Sequence, residues 1–410
     1  MIIIYNIAIY LYQAALIILS PFNKKAGLWY RGRKNFFRQW KGFSPGNRKV
    51  IWVHCASLGE FEQGRPVIEE FRKREDDIFI LLTFFSPSGY EIRKNYPLAD
   101  AVCYLPSDTR ANAEKFIRVF SPDMAVFVKY EFWYNYIAGL HRNKIPLYLI
   151  SANFRAGQIF FKWYGKWFGK MLHMFSHIFV QSDSSGQLLN SLGVKQVTVA
   201  GDTRFDRVDS LKLSHREIPL AAAFSRGSFT IVAGSTWPAD HDLLVRFVNE
   251  AKYDVKLIIA PHEINEDEID KLESRFSKNT VRYSRAGNTG AGEATVLIID
   301  NIGLLSSLYA YGALAYIGGG FGKGIHNILE ACTHGLPVIF GPNYHKFREA
   351  KELVETGGAF PVNTYTDLLN RAGELIVTPA LLENAGNTAS NYVKDNTGAS
   401  NTIVDKILSF

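Results

Sequence analysis

A chain of 410 residues with 47% hydrophobic and 14% aromatic side chains is too long for one compact core and too apolar for extensive disorder, so two domains of about 150–200 residues are expected. A formal net charge of +7 suits nucleic acid, an anionic membrane surface or a phosphorylated substrate, and sign alone does not choose among them. Cys55, Cys103 and Cys332 stand far apart in apolar stretches without C-x-x-C spacing, which argues against zinc or redox work and for small core residues.

Residues 1–20 carry no charged side chain, and about 19 helical residues reach roughly 28 Å, just enough for a bilayer core. Neither the basic start nor the small-residue cleavage site of a secretory leader is clear. A retained membrane anchor over 1–20 is therefore expected, with an amphipathic or buried first helix as the alternative. Lys24, Lys25, Arg31, Arg33, Lys34, Arg38 and Lys41 follow, interleaved with Trp29, Tyr30, Phe36, Phe37 and Trp40. Cations beside a span stay on the cytoplasmic side, so 21–48 reads as a basic aromatic collar in the headgroup zone of an anionic inner-membrane surface, with the body of the protein in the cytoplasm. That placement uses part of the positive charge without nucleic acid, and no nucleic-acid partner is expected.

From Lys49 onward "VIWVHC", "IFILLTFF", "AVCYLP", "MAVFVKY", "PLYLISA", "HIFVQS" and "VTVAG" alternate with helical patterns. Near-continuous apolar strands between helices indicate a parallel sheet covered on both faces. The rhythm breaks in the polar stretch after Gly201 and restarts with "FTIVAGS", "VKLIIAP", "TVLIID", "ALAYIGGG" and "LPVIFGP". The expected fold is α/β, with Rossmann-like domains over 49–210 and 211–395 facing a cleft and a C-terminal helix over 396–410. In such sheets ligands lie beyond the carboxyl ends of the strands.

Chemistry-bearing residues fall at those ends. Ser57-Leu58-Gly59-Glu60 fits a capping box. It equally allows Gly59 to admit a ligand and Glu60 to act as general base, and the local pattern leaves both readings open. A helix N-terminus is expected to favour the ionised carboxylate and so weaken it as a base. Glu131 ends another buried strand, beside Tyr130, Phe132 and Trp133; it is either a second active-site acid or the start of the next helix. In the second half Ser235 and Thr236 sit between strand and helix, where N–H groups bind anions. Asp240-His241-Asp242 resembles a metal-binding D-x-D but falls where a helix's first turn takes acids. Pro261 and His262 end the next strand.

"GGGFGKGIHNILEA", residues 318–331, fails as an ATPase phosphate loop: Ile317 replaces its first glycine and Gly324 its hydroxyl residue. Gly322, Lys323 and Gly324 still permit a close approach to phosphate, with Asn327 in the first turn of the following helix and Glu330 three residues on, suited to ribose hydroxyls. A plain strand-to-helix turn is the alternative. His326, without a second ligand at metal spacing, reads as a turn or capping residue.

In this order and spacing "SLGEFEQGRPVIEEF", "KYEFWYN", "SANFR", "GDTRFD", "GSTWPADHDLL" and "YIGGGFGKGIHNILEACTHGLPVIFGP" resemble the bacterial 3-deoxy-D-manno-octulosonic acid (Kdo) transferase family. The resemblance runs from the anchor to about residue 362. It implies a type B glycosyltransferase fold with an N-terminal membrane anchor helix, CMP-Kdo as donor, a lipid A precursor (lipid IVA) as acceptor, and a place in lipopolysaccharide biosynthesis. It further implies that Glu60 is the general base and Glu131 a second essential acid. Ser235, Thr236, Pro261, His262, Gly322, Lys323, Gly324, Asn327 and Glu330 are assigned to the donor, and Ser57, Gly59 and Arg155 to the acceptor. Inverting transfer without metal or cofactor is expected. The chain departs from the family in Pro261-His262, where many members carry Pro-Arg, and in "KYEFWYN", where Thr-Glu-Leu-Trp-Pro-Asn is more usual. Lys323 or protonated His262 is the expected substitute for the missing cation. The rival readings are a UDP-sugar transferase of the same fold acting on a membrane lipid precursor, and a non-catalytic membrane-tethered nucleotide-binding protein.

Overall fold

The computed structural model describes residues 1–213, 216–286 and 291–410. The chain divides into two compact units, Met1–Arg207 with Thr397–Phe410, and Val208–Asn396.

Unit 1 begins with helix α1 (Ile2–Leu19), α2 (Lys24–Arg33) and the short α3 (Phe36–Gln39). Its strands are β1 (Lys49–Cys55), β2 (Ile78–Phe84), β3 (Ala101–Tyr104), β4 (Met124–Val128), β5 (Leu147–Ala152), β6 (His177–Val180) and β7 (Val197–Val199), with α4 (Leu58–Arg74) leaving β1. All pair in parallel in the order β3-β2-β1-β4-β5-β6-β7. The direction of winding reverses between β1 and β4, so the crevice for a ligand opens beyond those two strands. Buried residues alternate between two layers: Trp52, Phe116, Phe127 and Tyr136 pack on one face, and Val53, Phe61, Phe71 and Val126 on the other. The C-terminal helix Ala399–Leu408 belongs to this second layer through Ile403, Val404 and Ile407. Arg74 pairs with Asp405, and Asp206 accepts hydrogen bonds from the N–H groups of Gly398 (2.6 Å) and Ser400 (2.8 Å).

The aromatic collar differs from the sequence expectation. Trp29 and Phe36 are buried, and Phe37 and Trp40 pack against the core of unit 1. Burying an aromatic ring outweighs leaving it at a wet surface. The cations stay outside: Lys24, Lys25, Arg31, Lys34, Arg38 and Lys41 are exposed. Arg33 instead turns inward, donating to the carbonyls of Leu105 (2.8 Å), Trp29 (3.1 Å) and Phe85 (2.7 Å).

Unit 2 repeats the plan. Its strands are β8 (Phe229–Thr236), β9 (Val255–Pro261), β10 (Thr280–Arg282), β11 (Val296–Ile298), β12 (Leu314–Ile317), β13 (Val338–Phe340) and β14 (Ala359–Pro361). They form a parallel sheet ordered β10-β11-β9-β8-β12-β13-β14, reversing between β8 and β12. Two edge strands, β10 and β14, escaped the sequence reading. Each has three residues, and β10 carries Arg282, whose buried guanidinium is held by Glu266, Asp270 and Glu273.

Candidate active site

In unit 1 the turn after β1 carries Ser57, which caps α4. Glu60 Oε2 accepts hydrogen bonds from the Ser57 N–H (2.9 Å) and hydroxyl (3.1 Å). The capping box is therefore formed, but it does not make Glu60 a weakened base as the helix terminus alone suggests. Burial, then the nearby Glu131 charge, push the Glu60 carboxyl above its ordinary range, against the opposing Ser57 bonds and His54. A carboxylate with raised proton affinity is better matched to removing a proton near neutrality. Gly59 is exposed, and a Cβ added there meets open space, so the protein itself does not need glycine at that position.

Glu131 lies beyond β4 and three residues before the helix Tyr134–Arg142, so it does not start that helix. Its buried carboxylate is fixed from two sides: Oε2 accepts from Trp133 Nε1 at 2.5 Å and lies 3.1 Å from His54 Nε2. His54 is fully buried near the end of β1, with Nδ1 2.8 Å from Thr83 Oγ1, which also accepts from Trp52 Nε1 at 2.8 Å. A proton on His54 Nε2 serves Glu131, with Nδ1 then accepting from the Thr83 hydroxyl; in that tautomer the Thr83 carbonyl, 3.2 Å from Nδ1, receives nothing from the ring. Lys129, just before Glu131, holds φ +67. Such backbone strain in a non-glycine residue gathers at functional sites. Burial and neighbouring Arg204 lower the Lys129 ammonium, while Glu60 and Asp202 oppose and Arg155 adds to the lowering. Lys129, Arg155 and Glu60 thus share one electrostatic neighbourhood, and Arg155 is exposed. His54, Lys129 and Trp133 join the candidate site although the sequence assigned them no role; the signal for His54 is a polar residue inside the buried run "VIWVHC", and Lys129 and Trp133 lie in "KYEFWYN" around Glu131.

Unit 2 gathers its candidates beyond β8, β9 and β12. Ser235 holds φ +51. Thr236 is buried, with Oγ1 3.0 Å from His241 Nε2, and its carbonyl accepts from the His262 N–H at 2.9 Å. Asp240 is fully buried and accepts from the N–H groups of Trp237 (2.8 Å) and Gly319 (2.9 Å) and from Tyr316 Oη (2.8 Å). It therefore both caps its helix and staples the glycine-rich loop to it. A Cβ on Gly318 would come within 2.3 Å of the Ser235 carbonyl, and one on Gly320 within 2.5 Å of the Gly341 N, so those glycines are needed by the packing of the loop itself.

His262, following Pro261, is exposed; its ring stacks on Trp237 (centroids 4.7 Å apart) and on His326 (4.3 Å). Trp237 Nε1 donates to His326 Nε2 at 2.9 Å. Burial, then His262, lower the His326 imidazole. Lys323 is exposed; Gly322 and Gly324 turn back onto the Gly319 carbonyl at 3.0 and 3.3 Å. Asn327 is not in the first turn of the following helix, which spans only Leu329–Thr333. Its Oδ1 accepts from the Leu329 N–H at 3.1 Å, and its Nδ2 donates to Glu330 at 3.2 Å. So short a helix has little macrodipole, and an anion here depends on loop amides and side chains. Among the described residues, no group of three or more His, Cys, Asp and Glu is arranged to hold a metal ion.

The family model described as 3-deoxy-D-manno-octulosonic-acid transferase (kdotransferase) matches residues 30–207. The 3-deoxy-D-manno-octulosonic acid transferase of Aquifex aeolicus is 30% identical over 80% of this chain and 86% of its own length. That of Haemophilus influenzae is 27% identical over 87% and 86%. Among solved structures, a UDP-GlcNAc 2-epimerase from Neisseria meningitidis superposes with a TM-score of 0.63 over 88% of this chain and 100% of that one, at 18% identity, a likeness of fold alone. The paired carboxylates at the switch point of unit 1, the stapled glycine loop of unit 2 and these relatives converge: the chain belongs to the 3-deoxy-D-manno-octulosonic acid transferase family and is a glycosyltransferase.

Proposed function

We propose that the protein transfers Kdo from CMP-Kdo to a lipid A precursor, lipid IVA, with inversion at the anomeric carbon, in lipopolysaccharide biosynthesis. The observation that carries this reading is the pairing of Glu60 and Glu131 beyond adjacent strands β1 and β4, with the Glu60 carboxyl raised by burial and by Glu131. Glu60 takes the proton from the acceptor's primary hydroxyl as its oxygen bonds to the anomeric carbon, and the bond from that carbon to the CMP phosphate oxygen breaks. Glu131, held by His54 and Trp133, keeps the base at the proton affinity the step needs. Ser57 orients Glu60, Gly59 leaves room for the acceptor, and Arg155 with Lys129 supplies positive charge for acceptor phosphates.

Unit 2 takes the donor. The glycine-rich loop, Lys323 and His262 receive the phosphate, with Ser235, Thr236 and Pro261 as the adjoining wall, while Asn327 and Glu330 read the nucleotide. CMP leaves with a single phosphate, whose charge these groups offset without a metal ion. Helix α1 and the exposed cations after it associate the protein with the inner membrane from the cytoplasmic side, where an amphiphilic acceptor resides. Nucleic acid is not a partner.

The test is product mass spectrometry on the purified full chain with lipid IVA and either CMP-Kdo or UDP-sugars, with and without chelator. Kdo addition from CMP-Kdo alone, insensitive to chelator, is expected. Turnover only with a UDP-sugar overturns the donor, and loss of transfer in chelator overturns metal independence.

A further inference from the structure

We infer that α1 does not cross the bilayer but lies along unit 1 in the plane of the membrane surface, its outer apolar face set into one leaflet of anionic lipid. The inference rests on the membrane association proposed above and specifies its geometry.

Helix α1 is about 27 Å long at 1.5 Å per residue, and both ends of it touch unit 1. Near its start Tyr5 Oη donates to the buried Asp108 carboxylate at 2.6 Å, and Asn135 Nδ2 donates to Asn6 Oδ1 at 2.9 Å. Toward its end the Tyr12 ring lies 6.2 Å from Phe85 and 6.4 Å from Trp29. Gln13 and Ile17 line a cavity of about 290 Å³ with Trp29 and Arg33. A helix projecting across a bilayer touches its own domain only where it leaves it, so these contacts and a spanning orientation exclude each other. Crossing would also carry Asn6 and the Tyr5 hydroxyl away from their partners toward hydrocarbon, where an unmet polar group is costly.

The exposure pattern agrees. Residues 5, 6, 9, 13, 16 and 20 are half-buried, at helical spacing. The other side is open and apolar: Ile3 is 74%, Ile4 64%, Leu11 65% and Ile18 69% exposed. A helix apolar all round needs cover on every side, and unit 1 covers one. Lipid is the occupant the surroundings favour. The exposed cations of α2 and α3, among them Lys24, Lys25 and Arg31, follow directly. At the other end Tyr5 meets Trp167 (centroids 5.7 Å apart), from a segment that presents the exposed Trp163 and Tyr164 with Lys166 and Lys170. Apolar rings among lysines suit an anionic headgroup layer.

The test labels the full chain with a bimane at one of three outer-face positions, in Ile3→Cys, Leu11→Cys or Ile18→Cys. The native cysteines are buried and stay unlabelled. In vesicles of phosphatidylethanolamine and phosphatidylglycerol, lipids quenching at the headgroup, mid-chain or chain end report depth. The expected result is one shared shallow depth for all three, with the protein sedimenting with the vesicles. Leu11 deepest, with Ile3 and Ile18 near opposite surfaces, overturns the inference and leaves membrane association standing. Protein that stays in the supernatant, unquenched, overturns both.

Discussion

His54 Nε2 stands 3.1 Å from Glu131 Oε2, and both side chains are withdrawn from solvent. Trp133 Nε1 meets the same oxygen at 2.5 Å, so this carboxylate is fixed by two donors and cannot swing with substrate. Removing one donor to a buried charge while keeping the packing isolates the positioning role. Trp133→Phe keeps an aromatic ring beside Phe85, whose centroid lies 4.5 Å from that of the indole, and is expected to lower kcat about 10-fold at a stability cost of about 1 kcal/mol. His54→Ala opens a cavity as well and is expected to lose about 2–4 kcal/mol of stability. Steady-state kinetics beside calorimetry separates the two, and unchanged kcat in the Trp133 variant removes the role from that bond.

Glu60 is raised by burial and by Glu131, so activity falls as pH drops through that raised value and the base takes up its proton. Glu131→Gln removes the like charge, lowers the Glu60 carboxyl and moves the acidic limb of the profile to lower pH, whatever the residual rate. In stability the sign is opposite: the Glu60 contribution is full below its ordinary value of 4.5 and lost as pH rises through the raised one. A pH–kcat/KM profile of both proteins checks the shift. An acidic limb that stays in place disconnects the two carboxylates.

Gly59 offers a cleaner steric test. A Cβ there meets no protein atom within 4 Å, so Gly59→Ala is expected to hold stability to within about 0.5 kcal/mol. Its methyl group instead enters the space left for the acceptor, and a misplacement of about 1 Å costs about 100-fold in rate. Full activity in a normally folded Ala variant means that no substrate approaches this backbone.

How legible was this in the sequence? Twelve of the strands announced themselves as apolar or branched runs, most of them because strands of a doubly covered parallel sheet are buried on both faces. β10 and β14 did not: three residues at an edge, one of them Arg282, carry no periodic signal. Glu60 and Glu131 were legible as strand-end acids, but the raised proton affinity of Glu60 was not, since it depends on a residue 71 positions away in the chain. His54 looked like part of a core strand because it is one; its use is visible only once β1 and β4 pair. The collar misled for a related reason: aromatic rings beside cations satisfy a headgroup pattern and a core pattern alike, and only packing distinguishes them.

Asp240 ties two segments of unit 2 together. Its buried carboxylate accepts three hydrogen bonds, joining the helix start at Trp237 to the loop at Gly319 and to Tyr316. Asp240→Asn keeps the shape but turns an amide donor toward groups that donate, at a cost of about 2–4 kcal/mol. The loop is released, so KM for the donor is expected to rise about tenfold, with kcat affected less. Calorimetry with donor-dependent kinetics checks it, and a stable variant with unchanged KM detaches the loop from donor binding.

His262 stands where many members of the family carry arginine. His262 is exposed beyond β9, its ring stacked on Trp237 and His326, and burial together with His262 already disfavours charge on His326. Charge on His326, 4.3 Å away, is thus disfavoured, and an imidazole, unlike a guanidinium, is not a permanent cation. His262→Arg supplies a charge independent of pH and a planar group that still stacks on Trp237. KM for CMP-Kdo is then expected to fall about 5-fold near neutrality, steeply weakened by added salt, and to stay flat between about pH 6 and about pH 8. Lys323→Ala should raise KM in the natural chain and matter less once the arginine is present, because both cations serve one phosphate. If His262→Arg leaves KM unchanged, and Lys323→Ala acts equally in both backgrounds, His262 serves the ring stack and not the phosphate.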